Sequence, residues 1–89
     1  MEYTEDRKVQ LIREYVHLEE RGEDLLEEFD SSYSDERRAA LTDAMAQNEV
    51  AMDMQVKAIA NFAGNVLNAI DMINVFTENG EKKLRRLLN

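Results

Sequence analysis

Seven carboxylates crowd one short stretch of this chain: Glu19, Glu20, Glu23, Asp24, Glu27, Glu28 and Asp30. Just before them stands Glu14-x-x-His17, which pairs a carboxylate with the chain's single imidazole. On a helix, residues three apart share a face, so this pair can offer two metal ligands at once. The acid run suits another chemistry. A dense negative strip attracts a basic protein partner, or imitates nucleic-acid phosphates in front of a nucleic-acid-binding one. The simpler alternative is a solvated face that keeps the protein in solution. Only Arg21 offsets the run, which lies toward the C-terminal end of its helix, where the dipole favours cations.

The metal reading needs more ligands than the pair supplies. Ferritin-like di-iron bundles use Glu-x-x-His together with carboxylates from facing helices, and a half-length chain can complete such a site by dimerising. The facing helix offers Glu49 and Asp53, but Met52 stands where a second histidine would be needed. The simpler reading of His17 is an exposed histidine one turn from Arg13 and from Arg21. A ferritin-like half-bundle is therefore the third-ranked expectation, and the expected set of metal ligands and cofactors is none. Nucleophilic catalysis finds no constellation. Cysteine is absent, and Ser31, Ser32 and Ser34 sit together where a turn and a helix cap need them. The three glycines, at 22, 64 and 80, are too dispersed to cradle a phosphate. A non-enzymatic role is expected.

Composition bounds the rest. Eighty-nine residues allow one domain, and a chain of this length buries only about 60–65% of its unfolded surface. Oligomerisation is one of the usual supports for such a domain. With no proline and no tryptophan, and many Ala, Leu, Glu, Met and Arg residues, the chain reads as all-α. The net charge of −8 argues against direct nucleic-acid binding. No signal-peptide pattern opens the sequence and no cysteine is used, so a cytoplasmic location is expected. Ala58 to Phe76 has the length of a membrane span, but Asn61, Asn65, Asn68, Asp71 and Asn74 interrupt it. No membrane span is expected.

The elements follow from spacing. A first helix over about 4–30 carries apolar residues at Leu11, Tyr15, Leu18, Leu25 and Phe29 in heptad order, with Gly22 in the gap. A short turn at 30–34 makes an antiparallel hairpin. The second helix carries a longer seam: Leu41, Met45, Asn48, Met52, Gln55, Ile59, Phe62, Val66, Ala69, Ile73 and Phe76. The seam stays in phase through Gly64, which predicts one long helix over about 34–78. A break at Gly64-Asn65 that folds 66–78 back is the alternative. Asn48 and Gln55 either fix register or face solvent. Met45, Met52 and Met54 fill an irregular core or, less typically, an adaptable surface. Asn79-Gly80 stops the helix, and a short basic amphipathic helix follows over about 81–88.

Length and charge then converge. At 1.5 Å per residue, the first helix reaches only as far as about residue 60 of the second. The uncovered part nearly coincides with Ala58 to Phe76, whose single charge is Asp71. The expectation is an all-α antiparallel hairpin, with a long second helix and a short C-terminal helix, assembling as a helical-bundle oligomer. Its interface is expected at Ile59, Phe62, Val66, Ile70, Ile73 and Phe76. The partners are then the chain itself and another protein, in the manner of an adaptor, regulator, inhibitor or chaperone-like subunit. The alternative is an acidic decoy acting through Glu19, Glu20, Glu23, Asp24, Glu27 and Glu28 on a basic target. The same strip could instead receive Lys82 to Arg86 of another subunit.

Overall fold

The computed structural model describes residues 3–89, and these are all-helical. Helix α1 spans Glu5–Ser31, α2 Asp35–Ala63, α3 Val66–Asn79 and α4 Glu81–Leu88, with no strand among the described residues. Thr4 caps α1 by accepting the amide of Arg7 at 3.1 Å, and Glu5 and Asp6 complement the dipole in its first turn. Ser34 caps α2 in the same way, accepting from the amide of Arg37 at 3.2 Å. Between the caps, Arg38 lies over the Phe29 ring at 4.2 Å and Arg37 pairs with Glu28, so charged side chains close the turn without proline or glycine.

α1 and α2 form an antiparallel hairpin whose register is held by two amides. Asn48 Nδ2 donates to the main-chain carbonyl of Leu18 at 2.9 Å. Gln55 Nε2 donates to the carbonyl of Leu11 at 2.8 Å and to Glu14 Oε2 at 3.1 Å. Asn48 and Gln55 are one heptad apart, and so are Leu18 and Leu11. The two polar seam residues therefore face α1 rather than solvent.

The expected long helix is corrected: α2 ends at Ala63. Gly64 adopts φ 105°, where a side chain would be strained, and its amide still closes the last turn on Ala60 at 2.8 Å. Asn65 is extended and caps α3 by accepting from the amide of Asn68 at 2.8 Å. Asn68 Nδ2 returns a bond to the carbonyl of Ala63 at 3.1 Å. The corner thus supplies partners to helix-end groups that a break would otherwise leave open. The seam spacing was in phase, but packing decided the path. Folding α3 back brings Ala69 and Ile73 into one core with Ile12 and Ile59.

The result is a lopsided core. At one end all four helices meet around Val9, Leu11, Ile12, Ile59, Ala69, Ile73 and Leu84. Ile12, Ile59 and Leu84 are 0% exposed, and burying such a side chain contributes about 1.5–3 kcal/mol. α3 packs on α2 and α1, and α4 packs on α3 and α1. Toward the turn, α1 and α2 have only each other, and Leu25 and Leu41 are the buried apolar pair there. None of the described helices is long and apolar enough to cross a membrane.

Candidate functional site

The two-helix end carries a groove. α1 contributes Glu19, Gly22, Glu23 and Leu26, and α2 contributes Met45, Asn48, Glu49 and Met52. These positions recur every three or four residues, which places each set on one helix face. The groove encloses about 400 Å³. Its apolar side chains are Leu26, Met45 and Met52, with Leu26 still 52% exposed. Glu19, Glu23 and Glu49 supply the charge.

Asn48 is the best-buried residue of this groove, at 6% exposure. A Cβ at Gly22 would come within 3.0 Å of Asn48 Nδ2, so the glycine lets the amide lie against α1. Nδ2 donates to Leu18 and also contacts Met52 Sδ at 3.4 Å. Oδ1 of the same residue is buried with no hydrogen-bond donor among the described residues. Such an acceptor is costly to leave unmet in a protein interior.

The acid run divides when placed on the structure. Glu19 and Glu23 line the groove. Glu20 lies 3.6 Å from His17, and Glu28 is engaged by Arg37. Asp24 and Glu27 are exposed. The Glu19 carboxyl is pushed above the usual carboxylate range, first by burial and then by the charges of Glu23 and Glu20. The Tyr15 phenol is also raised, by burial and then by Glu19.

The metal alternative gains no further ligand. Glu14 accepts from Gln10 at 3.1 Å and from Gln55 at 3.1 Å. His17 is exposed beside Glu20, and no group of three or more His, Asp or Glu that could hold a metal ion gathers among the described residues.

The basic terminal helix finds acids in its own chain. Arg85 bonds Asp6 at 2.8 Å, Glu5 at 3.0 Å and Glu81 at 3.3 Å, and Arg13 pairs with Glu81. These carboxylates, Asp6 foremost and then Glu81, hold the Arg85 guanidinium even further above neutrality than usual. Arg85 is thus engaged by acids of its own chain. Lys82, Lys83 and Arg86 remain exposed.

The six expected interface residues separate into three pairs. Ile59 and Ile73 are 0% and 4% exposed within a single chain, a correction that follows from the fold-back of α3. Phe62 and Phe76 are partly buried and pack against the core. Phe62 meets the Tyr3 ring at 5.4 Å and lies under Lys8 at 5.7 Å. Val66 and Ile70 stay outside, 46% and 42% exposed, and Leu67 between them is 75% exposed. Leu67 lies outside the heptad seam of the second helix but inside the low-charge stretch Ala58 to Phe76. The groove was signalled only by Gly22 in the α1 seam and by the methionines facing it. Compared with protein-family models, with curated proteins and with solved structures, the chain finds no match.

Proposed function

We propose that this protein is a non-enzymatic helical binding module that associates with itself and acts through contacts with another protein. The observation that carries the reading is the outer face of α3. Val66, Leu67 and Ile70 form a contiguous apolar patch over its first two turns, and they lie in the stretch from Ala58 to Phe76 whose one charge is Asp71. Each apolar side chain removed from water contributes roughly 25 cal/mol per Å². A patch with only Asp71 beside it meets its own copy with little repulsion, which suits a two-fold interface in which the same residues face each other.

The module serves as an adaptor, regulator, inhibitor or chaperone-like subunit in the cytoplasm, and its partner is a protein rather than a nucleic acid. The surface charge of −8 supports the second point. The test is the mass of the particle in solution. Light scattering at micromolar concentration is expected to show a dimer or a larger assembly, and Leu67→Glu is expected to dissociate it. Because Leu67 is largely exposed, the variant keeps its helical circular dichroism. A wild-type protein that remains a single chain under these conditions overturns the self-association.

A further inference from the structure

We infer that the acid-rimmed groove between α1 and α2 binds a basic amphipathic helix of a partner protein. This rests on the reading of the protein as a binding module, but not on the α3 patch.

The first support is the match of surfaces. Leu26, Met45 and Met52 supply an apolar floor, and Glu19, Glu23 and Glu49 a negative rim. A helix with leucines along one face and Lys or Arg beside them complements both at once. Methionine side chains are unbranched and adjust to an incoming shape.

The second support lies at the other end of the same hairpin. There α4, EKKLRRLL, is a basic amphipathic helix already docked on α1. Leu84 is fully buried, and Arg85 reaches Glu5 and Asp6 of α1. Helix α1, on which α4 packs beside α3 and without touching α2, thus accepts a helix of this chemistry among its acids. Toward the turn the hairpin presents the same combination of apolar and acidic residues with no helix of its own on top.

The third support is Asn48. It lines the groove and its Oδ1 lacks a donor. A lysine or arginine of the bound helix, entering past Met45 and Met52, can donate to this oxygen, which no donor among the described residues reaches. A cation among Glu19, Glu23 and Glu20 also offsets the charges of Glu23 and Glu20, which after burial raise the Glu19 carboxyl.

The probe is a labelled synthetic helix with leucines at i, i+3, i+4 and i+7 and lysines elsewhere, titrated with the full-length protein by fluorescence anisotropy. The controls are a shuffled peptide of the same composition and a peptide with glutamates in place of the lysines. Expected are micromolar binding of the first, at least about tenfold weaker binding of the shuffled peptide, and none of the acidic one. The variant Glu19→Lys, Glu23→Lys, Glu49→Lys is expected to weaken binding at least about tenfold. Asp43→Lys, Asp71→Lys, Glu78→Lys changes the net charge equally at exposed sites away from the groove and is expected to change affinity less than about threefold. Leu67→Glu is expected to keep peptide binding, which separates this surface from that of self-association. Equal binding of the shuffled peptide, equal losses in the two charge variants, or no binding overturns the inference. So does displacement of the peptide as protein concentration rises, which would put a second copy in the groove.

Discussion

Asn48 reaches across the hairpin to the main-chain carbonyl of Leu18, 2.9 Å away, and leaves its own carbonyl oxygen buried and unmet. One heptad further along α2, Gln55 repeats the reach to Leu11. A one-residue slip of either helix breaks both bonds together, so these amides specify the register of α1 against α2.

The two amides differ in worth. Asn48→Ala loses the bond to Leu18 and the weak one to Met52 Sδ but also removes a buried acceptor without a partner among the described residues, so stability is expected to change by less than about 1 kcal/mol. Gln55→Ala loses bonds to Leu11 and to Glu14 and is expected to cost about 1–2 kcal/mol. Urea unfolding of the two variants checks the order.

Gly22 and Asn48 are coupled. Alanine at a mid-helix glycine ordinarily gains about 1 kcal/mol. Here the added Cβ meets Asn48 Nδ2 at 3.0 Å, and the bond to Leu18 keeps that amide from retreating. Gly22→Ala alone is expected to give little or no gain, whereas in the Asn48→Ala background the full gain of about 1 kcal/mol is expected. A double-mutant cycle measures the difference.

The corner at Gly64 holds α3 in place. Gly64→Ala puts a side chain at φ 105° and is expected to cost about 1–2 kcal/mol. Asn65→Ala removes the cap of α3 and is expected to cost about 1 kcal/mol. Releasing α3 also uncovers Ile59 and Ile73, so both variants are expected to associate more strongly. Size-exclusion chromatography alongside thermal unfolding checks the two effects.

Much of this molecule is written in local pattern. The Thr4 and Ser34 caps carry their roles in their types and positions, whereas Asn48 and Gln55 suited either register or solvent until the packed hairpin set them against α1. Nor is the path of the chain after Ala63 written in local pattern. The residues Gly64-Asn65 suit a corner, yet the apolar spacing runs through them unbroken, because α3 keeps the same heptad phase whether it continues α2 or folds back. What decides is the burial of Ala69 and Ile73 against Ile12 and Ile59, a tertiary gain that no window of sequence contains. The groove was hidden for the same reason. Its openness depends on where α3 and α4 come to rest, not on the residues that line it.

Glu19 trades stability for charge. Its folded carboxyl binds a proton more tightly than an unfolded one, whose ordinary value is 4.5. The folded state therefore holds more protons through this range, and the contribution of Glu19 to stability falls as pH rises through it. Glu19→Gln is expected to raise the melting temperature at pH 7, with the advantage fading below the ordinary carboxylate range. The same change is expected to weaken binding of the basic helix. Calorimetry across pH and the anisotropy titration measure the two sides.

Sedimentation velocity of the wild-type protein and Leu67→Glu, across the micromolar range, tests the central claim most directly. The account predicts a wild-type assembly of two or more chains that grows with concentration, and a Leu67→Glu variant that sediments as a single folded chain. A wild-type protein that sediments as one chain throughout, or a variant that assembles as readily as the wild type, contradicts it.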